Sequence, residues 1–409
     1  MNIVLEPGAA ALLDELHRAG FGAYAVGGCV RDSLLGLAPH DWDLCTAARP
    51  GQVMELFGED RCIPTGLQHG TVTVKRDGRL YEITTFRTEG RYSDGRHPDS
   101  VAFVPDLRED LARRDFTINA MAYSAEEGLC DPFGGREDLA RGVVRAVGEP
   151  LRRFGEDALR ILRLYRFAAR FGFAIDEATE AAAKQLASHL DCVSAERIEE
   201  ELNKLLAAPQ PGAYLEPEVL AFVLPELPPE ELTKARRRVD ALPAGTEQVS
   251  ARWAALLLPL GETGARKALK RLKCSNARID GAAALVRECG EKTPDTLDKC
   301  DLRLQAKRLL GKYDLHTVRQ LTALWMALAP EEKASFDALR AEAEALTAQG
   351  ACCRISQLAV NGRDLMAAGA APGPGLRRVL EALLEEVITG RLPNEKTELL
   401  AFAAGFSAS

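Results

Sequence analysis

Hydrophobic positions are spaced differently in the first third of the chain and in the rest. Up to about residue 140, short apolar stretches alternate with turns, and those with strand composition are 24–26, 71–74, 80–86 and 100–104. Beyond about residue 145, apolar residues recur at helical spacing among alanine, leucine, arginine and glutamate. Proline-rich breaks interrupt this helical region at 209–217, 225–229 and Ala329–Pro330. The pattern predicts an α+β region followed by an all-helical remainder in several pieces.

A glycine pair and a carboxylate pair follow the first predicted strand. Gly27 and Gly28 precede a short predicted helix at Arg31, and glycines at such a turn let backbone N–H groups approach a phosphate. Asp41 and Asp43 come next, and in a strand both side chains would leave the same face. Two adjacent carboxylates repel each other, so the pair indicates a divalent cation between them. Either motif alone is a common turn or solvated loop, but in this order they are the minimum apparatus for phosphoryl or nucleotidyl transfer.

A third carboxylate lies in a predicted strand. Glu82 is on the face opposite Tyr81 and Ile83. It is either an exposed edge position or the completion of a three-carboxylate metal site with Asp41 and Asp43, and we favour the metal site.

A second polar cluster spans residues 113–120. Arg113 can bind phosphate through two hydrogen bonds, and Asp115 can hold sugar hydroxyls. Alone, this segment could equally be a charged helix start. The turn-rich stretch 131–139 follows and suits a hinge after the α+β region.

A row of charged residues lies in 154–167, which we interpret as one continuous helix. Asp157 and Arg160 are then neighbours at i and i+3, and Arg163 and Arg166 continue the row. Steps of three residues drift by about 60° each, so Asp157 and Arg166 cannot share one narrow stripe. Asp157 and Arg160 are the best-placed pair. On this helix alone, an intrahelical salt bridge worth a few tenths of a kcal/mol is the simpler interpretation.

Composition limits the class of protein. The 409 residues allow two to four domains, and the absence of 18 unbroken apolar residues or a leader-like start favours a soluble cytoplasmic protein. Ten scattered cysteines without a Cys-x2-Cys pair indicate thiols in a reducing compartment. The net charge is −8, but local basic clusters occur at 152–170, 236–238 and 266–273. A local basic surface suffices for nucleic acid, although 236–238 is better explained as a solvated helix face.

Together these segments resemble the class II tRNA nucleotidyltransferase family, which comprises the CCA-adding enzymes and the related bacterial poly(A) polymerases. The matching segments in the first 210 residues are 27–32, 41–43, 113–120, 131–139, 156–160 and 196–201. Segments that resemble the tail of the bacterial CCA-adding branch are 358–365, 373–375 and 392–396. The middle of the chain, about 210–350, carries little that matches.

The resemblance implies an α+β fold class with a seahorse-like arrangement. A polymerase-β-like nucleotidyltransferase head would be followed by an all-helical neck, body and tail. The implied domains are a catalytic head at 1–140, a neck with base recognition at 141–208, a body at 209–328 and a tail at 329–409. It also implies template-independent addition of C, C and A from CTP and ATP to the 3′ end of tRNA. The implied partner is therefore tRNA, bound at its 3′ end and acceptor arm.

The resemblance also implies roles for individual residues. Asp41 and Asp43 would hold Mg²⁺, with Glu82 as a third catalytic carboxylate. The other expected nucleotide-binding residues are Gly28 and Arg31 at the β- and γ-phosphates, Arg113 and Asp115 at the ribose, Asp157 and Arg160 at the base, and Arg163 and Arg166 beside them. Candidate tRNA-binding residues in the body are Lys267, Lys270, Arg271 and Lys273, together with 307–308. No membrane and no protein partner is implied.

Other functions remain open at this point. The polar stretch between Phe86 and Arg113 resembles the loop with which full CCA-adding enzymes switch from C to A, which argues against CC-only addition but leaves A-only addition open. A poly(A) polymerase of this branch would carry a longer basic C-terminal extension. A metal phosphohydrolase is improbable because the six histidines lack paired-ligand spacing. The intact carboxylate pair argues against a non-catalytic RNA-binding protein.

Overall fold

A computed structural model describes residues 3–90, 101–291 and 301–406. The chain forms two compact units, Met1–Pro229 with Arg271–Lys273, and Glu230–Lys270 with Cys274–Ser409. No helix in these described ranges is long and apolar enough to cross a membrane.

The first unit contains the strands and the shorter helices. The strands are β1 (Ala23–Val26), β2 (Leu44–Thr46), β3 (Cys62–Gly66), β4 (Thr71–Arg76), β5 (Arg79–Thr85), β6 (Arg87–Glu89), β7 (Val101–Phe103), β8 (Ala122–Ser124), β9 (Gly128–Cys130), β10 (Val143–Val144) and β11 (Ala174–Ile175). The helices are α1 (Pro7–Arg18), α2 (Gly28–Leu34), α3 (Pro50–Phe57), α4 (Leu107–Ala112), α5 (Gly135–Arg141), α6 (Pro150–Glu156), α7 (Leu159–Phe171), α8 (Glu177–Gln185), α9 (Ala195–Leu206) and α10 (Pro217–Val223).

A mixed sheet with the strand order β3-β4-β5-β2-β1-β8-β9 organises this unit. Strand β1 is buried along its whole length and pairs antiparallel with β2 and β8, so its apolar sequence fits a central position. Strands β2 and β5 run parallel, with Leu44 opposite Ile83. Residues far apart in the first unit's sequence, such as Tyr24, Phe86 and Leu111, pack into one core against the sheet.

From Pro229 onwards the described chain is helical. The helices are α11 (Pro229–Asp240), α12 (Val249–Leu257), α13 (Gly261–Arg271), α14 (Asn276–Glu291), α15 (Leu302–Lys312), α16 (Leu315–Leu328), α17 (Lys333–Ala348), α18 (Gly362–Ala367), α19 (Pro374–Ile388) and α20 (Lys396–Phe406). The predicted breaks at 209–217, 225–229 and 329–330 all fall at boundaries between α-helices, where Pro217 and Pro229 are the first residues of α10 and α11. A separate apolar cluster around Leu383 and Leu399 joins α18, α19 and α20.

Three local predictions need correction. Strand β2 begins at Leu44, so Asp41 and Asp43 precede it rather than lying in it. Helix α2 begins at Gly28, earlier than predicted. Segment 154–167 is not one helix, because Asp157 is extended at φ −144° and ψ 105° between α6 and α7. Its Oδ1 accepts a hydrogen bond from the backbone N–H of Leu159 at 3.0 Å, so this carboxylate caps the second helix.

Candidate active site

The expected site residues of the first unit gather around one cleft of about 980 Å³. Eleven residues singled out from the sequence line it, namely Gly28, Arg31, Asp41, Asp43, Glu82, Arg113, Asp115, Asp157, Arg160, Arg163 and Arg166. They come from positions far apart in the sequence, and the sheet and the neighbouring helices bring them together.

The glycine turn lies at the N-terminus of α2. Gly27 has φ 77° and ψ −120°, a conformation that side chains with a Cβ rarely adopt. An added Cβ there would lie 2.9 Å from Nη1 of Arg114. Glycine is therefore required both by the backbone conformation and by the close approach of a guanidinium group.

Asp41 and Asp43 flank the buried ring of Trp42, and both are exposed. Although they precede β2, this alternation still places their side chains on one side of the chain, as the i and i+2 spacing predicted. The parallel register of β2 and β5 brings Asp43 beside Glu82. Although the Asp43 side chain reaches solvent, desolvation by the surrounding walls of the cleft raises its pKa, the charges of Glu82 and Asp41 raise it further, and Arg114 opposes them. The three carboxylates therefore act on one another electrostatically.

Of the three carboxylates, Asp41 and Asp43 suit a divalent cation. Among the described residues, no group of three or more His, Cys, Asp or Glu side chains is close enough to hold a metal ion by itself. The expectation that Glu82 completes a three-carboxylate site is therefore not met by the geometry of the side chains. Two exposed aspartates that repel each other still match the one or two carboxylates with which Mg²⁺ is usually held, the remaining ligands being substrate phosphates and water.

Arg31 is almost fully buried beside the glycine turn, with an exposed fraction of 4%. Its Nε donates to Oδ1 of Asp32 at 2.8 Å, and its Nη1 donates to the amide oxygen of Asn119. Its guanidinium carbon lies 5.2 Å and 5.0 Å from the ring centres of Phe167 and Phe171. These contacts hold Arg31 in the wall of the cleft.

Other arginines share the same two rings. The guanidinium carbons of Arg163 and Arg166 lie 5.4 Å and 3.9 Å from the centre of Phe167, and that of Arg170 lies 4.9 Å from the centre of Phe171. Cations over aromatic faces are attracted by the ring quadrupole. We call Arg31, Arg163, Arg166 and Arg170 with these two rings the arginine cluster.

Asp115 is the most strongly held carboxylate of the cleft. It accepts hydrogen bonds from Nε and Nη2 of Arg163 at 2.8 Å and 2.6 Å, from Nδ2 of Asn119 at 2.9 Å and from the Phe116 N–H at 2.8 Å. Burial alone would raise its pKa, but the charge of Arg163 and these hydrogen bonds hold the pKa well below its usual range. Asp115 is therefore an acceptor that stays ionised.

The expected pairing of Asp157 with Arg160 is not the pairing that forms. The Asp157 carboxylate pairs with Arg197 of α9, whose Nη2 and Nη1 donate at 2.8 Å and 3.3 Å. Arg160 instead donates to Oε2 of Glu156 at 2.9 Å and to the carbonyl oxygen of Arg153 at 3.0 Å. Because Asp157 lies outside α7, it is not an i, i+3 neighbour of Arg160 on one helix face, and no salt bridge between the two side chains forms in this described segment.

The remaining expected residues are also held by partners. Arg166 donates to Oε2 of Glu201 at 2.5 Å, and both side chains are buried. Arg113 follows the last residue of α4, so its segment ends a helix rather than starting one, and its Nε donates to Asp110 at 3.0 Å.

Several cleft residues were not predicted. Arg197 and Glu201 lie in the segment 196–201, which matched the family without a role being assigned to either residue. Asn119 and Arg114 belong to the polar cluster at 113–120, and a buried Nε of Arg114 has no hydrogen-bond partner among the described atoms. Arg170 continues the arginine spacing of α7 and donates to Asp32 at 3.1 Å. The polar cluster at 113–120 indicated Arg114 and Asn119 as members of a group, and the arginine spacing could have identified Arg170, whereas no sequence pattern indicated Arg197 or Glu201 individually.

The four candidate RNA-binding residues divide into two pairs. Lys267 and Lys270 are exposed on α13. Arg271 donates to both carboxylate oxygens of Glu226 at 2.7 Å and 2.8 Å, and Lys273 contacts Glu196 at 2.6 Å. The second pair is therefore already engaged within the first unit. Of the loop expected between Phe86 and Arg113, the described residues form β6, β7 and α4, and residues 91–100 lie outside the described part of the chain.

A mixed sheet that carries adjacent carboxylates beside a glycine turn and an arginine-lined cleft is the architecture of a nucleotidyltransferase. A family model described as the poly A polymerase head domain matches residues 23–145. Two others, a probable RNA and SrmB-binding site of polymerase A and a putative tRNA nucleotidyltransferase domain 2, match 172–228 and 245–403. The chain belongs to the bacterial CCA-adding enzyme family, as the following relatives show.

Both the sequence and the fold of these relatives extend over nearly the whole chain. The CCA-adding enzyme of Limosilactobacillus fermentum is 38% identical over 397 residues, covering 96% of this chain and 95% of that protein. That of Latilactobacillus sakei is 39% identical over 400 residues, covering 96% of each. The crystal structure of the Bacillus stearothermophilus CCA-adding enzyme with CTP has a TM-score of 0.80 and 33% identity, over 99% of this chain and 98% of that one. A Thermotoga maritima enzyme complexed with tRNA, at 22% identity and a TM-score of 0.70 over 98% and 96%, shares the fold.

Proposed function

We propose that this protein adds C, C and A to the 3′ end of tRNA from CTP and ATP, without a nucleic-acid template and with release of pyrophosphate. The observation that carries this proposal is the convergence of all eleven expected catalytic and nucleotide-binding residues on one cleft. Family membership over 96% of the chain supports the same reaction.

The family uses a divalent metal, and we propose Mg²⁺ held by Asp41 and Asp43. When bound, the ion would lower the pKa of the RNA 3′-hydroxyl and neutralise the triphosphate. Glu82, beside Asp43 in the parallel register, would keep negative charge at this end of the cleft and draw the cation towards it. Mg²⁺ is usually held by one or two carboxylates together with substrate phosphates. Asp41 and Asp43 would supply the carboxylates and leave the other positions to the phosphates.

The other side of the cleft would bind the nucleotide. The Gly28 backbone and Arg31 would contact the β- and γ-phosphates, because both line the cleft beside the carboxylate pair. Asp115, which stays ionised, would accept hydrogen bonds from the ribose, while Arg113 would orient the same end of the nucleotide. Arg163 and Arg166 would contribute positive charge and hold Asp115 and α9 in place through their ion pairs.

We propose that Asp157 and Arg160 read the base. Cytosine and adenine each present an amino donor beside a ring-nitrogen acceptor, which an aspartate acceptor and an arginine donor complement. Uracil and guanine reverse that order and would leave buried polar groups unpaired, at about 1–3 kcal/mol per group. The two side chains do not pair with each other, and both line the cleft, which supports their separate use toward one base.

Extension of a tRNA that ends at the discriminator base tests the proposal. With CTP alone we expect two added nucleotides, and with CTP and ATP three. Addition of A alone would indicate an A-adding enzyme, and a long adenylate tail a poly(A) polymerase. Asp41→Asn and Asp43→Asn should abolish extension while tRNA binding in a gel-shift assay persists; extension at the normal rate by either variant would contradict the assignment.

The domain boundaries, the tRNA-contact residues and the location of the protein in the cell are also proposals. We retain the four-part division at about residues 140, 208 and 328. Lys267 and Lys270 are the stronger tRNA-contact candidates, because Arg271 and Lys273 already have acidic partners. We also propose a cytoplasmic location, because the proposed substrates are tRNA, CTP and ATP.

A further inference from the structure

A second, smaller pocket lies in the first unit on helix α7. Its volume is about 280 Å³, and its walls come from α7, from β11 and α8, and from the 3₁₀ turn Pro211–Tyr214 with the residues before α10. The side chains that matter here are Tyr165, Phe173, Glu180, Tyr214 and Glu216. None of them lines the cleft described above.

The hydroxyl of Tyr165 is the unusual group in this pocket. Tyr165 is 2% exposed, and no atom of the described chain lies at hydrogen-bond distance from its hydroxyl. A buried hydroxyl without a partner is costly, and native proteins normally satisfy such a group. Burial, followed by the charges of Glu216, Glu180 and Glu218, raises its pKa well above the ordinary value, so these three carboxylates are its electrostatic neighbours.

Negative charge exceeds positive charge around the pocket. Lys184 contacts Glu180 at 3.3 Å and Glu216 at 3.5 Å, so one cation is shared by two of the three carboxylates. Burial, followed by a hydrogen bond with Glu218, raises the pKa of Glu216 to about 7. Above about pH 7, where Glu216 is ionised, three carboxylates face one lysine, so the site has room for one more positive charge.

The apolar walls narrow the choice of ligand. Phe173 and Tyr214 form one side of the pocket, and the Tyr214 hydroxyl donates to the carbonyl oxygen of Phe173 at 3.1 Å, which fixes the two residues against each other. Aromatic side chains favour an organic cation over a hydrated metal ion. We propose that this pocket binds a small aliphatic amine, with the ammonium group between the Tyr165 hydroxyl, Glu180 and Glu216, and the alkyl chain against Phe173 and Tyr214.

The amine would give the Tyr165 hydroxyl a donor and would add a second cation for the two carboxylates that share Lys184. An ammonium group has three N–H donors, which match one hydroxyl and two carboxylates. Such charge-assisted hydrogen bonds are the stronger kind. The volume of about 280 Å³ accommodates a chain of several carbons but not a nucleotide together with its phosphates.

Calorimetric titration of the full chain with n-butylammonium chloride at pH 8 tests the proposal, in about 0.15 M KCl to screen unspecific attraction. We expect one site per chain and no binding of 1-butanol, which has the same length and no charge. Tyr165→Phe should weaken binding about fivefold and Glu216→Gln about tenfold. Glu177→Gln, an exposed position on the same helix as Glu180, should leave binding unchanged.

A thermal scan separates loss of the site from loss of the fold. Tyr165→Phe removes a hydroxyl that has no partner, so its midpoint without ligand should equal or exceed that of the unchanged protein, while binding falls. Equal affinity for butylammonium in both proteins, no binding at all, or equal binding of 1-butanol would overturn the proposal. Tighter binding of Nα-acetyl-lysine amide than of butylammonium would also overturn it, since the occupant would then be a lysine of another protein.

Binding should also depend on pH. As the pH falls from 8 to 6, Glu216 gains a proton and the affinity should fall severalfold, since a neutral carboxyl attracts an ammonium group less. The titratable and charged groups that face Glu216 are Tyr165 from α7, Glu180 and Lys184 from α8, and Tyr214 and Glu218 from its own segment. Affinity that is constant over this range would contradict the placement of the ammonium group beside Glu216.

Discussion

Replacing Asp115 by asparagine is the sharpest test of how the cleft is held together. The substitution keeps the size of the side chain and one oxygen, so the bond from the Phe116 N–H can persist. It removes the charge opposite Arg163, whose Nε and Nη2 lie 2.8 Å and 2.6 Å from Oδ2, and the new amide would present donors to donors.

The expected loss follows from burial. Removing one partner of a buried ion pair costs about 3–5 kcal/mol because the other charge stays uncompensated. The side chain of Asp115 is 8% exposed, but that of Arg163 is 35% exposed, and solvent screens it in part. We therefore expect a loss of about 2–3 kcal/mol in the first unit, a large part of the roughly 5–15 kcal/mol that stabilises a domain.

Hydrogen exchange of residues 113–120 measures this loss locally. A chain with two compact units need not unfold in one step, so a global denaturation midpoint would mix their responses. Protection of these amides at pH 7 should fall about 30- to 150-fold in Asp115→Asn. Asp106→Asn is the matched control, because Asp106 caps α4 from an exposed position and asparagine caps a helix equally well.

The pH dependence has a definite sign. The pKa of Asp115 is lower in the folded protein than in the unfolded chain, where it is ~3.9. The ionised carboxylate therefore stabilises the fold fully above the pKa of the unfolded chain, and this stabilisation is lost as the pH falls through the pKa of the folded protein. The difference between the two proteins should therefore be constant from pH 8 to 5 and shrink only below about pH 4. A change in protection under fivefold at pH 7, or a difference that already shrinks between pH 7 and 5, would refute the reasoning.

Three further substitutions probe other parts of the cleft. Asp157→Ala should raise misincorporation of UTP about tenfold or more in primer extension while slowing CTP incorporation less, and unchanged selectivity would remove Asp157 from base reading. Gly27→Ala should lower the hydrogen-exchange protection of the β1 amides about tenfold because of its positive φ, whereas Gly51→Ala, in a helix with open space around it, should leave the protection of the α3 amides unchanged or raise it; equal effects would contradict the strain argument. Glu201→Gln leaves Arg166 buried without its counter-charge and should destabilise the first unit by about 3 kcal/mol, measured by exchange of α7 amides.

Much of this architecture could be predicted from sequence periodicity. The alternation of Tyr81, Glu82 and Ile83 fixed which face of β5 the carboxylate occupies, and the structure confirms that face. Helical spacing after residue 145 and the proline breaks located the helical region correctly. Such patterns are local, and they report which residues share a face of one element.

The pairing partners could not be predicted in the same way. Asp157 pairs with a residue 40 positions away, Arg163 with one 48 positions away and Arg166 with one 35 positions away. Helical spacing does not reveal which helix lies opposite. The break at Asp157 was missed for a different reason, since the apolar period continues through it; Gly155 and an aspartate two residues before Leu159 were the available signals of a helix end and a new cap.

In the arginine cluster, the same positive charges affect both the binding of substrate and the stability of the fold. Four guanidinium groups surround two phenyl rings, each within 5.4 Å of a ring centre, and they repel one another. They share three carboxylates, Asp32, Asp115 and Glu201, so the cluster holds one positive charge more than its ion pairs neutralise. A nucleoside triphosphate bound there would compensate that charge, whichever base it carries, and would therefore also stabilise the fold of the first unit.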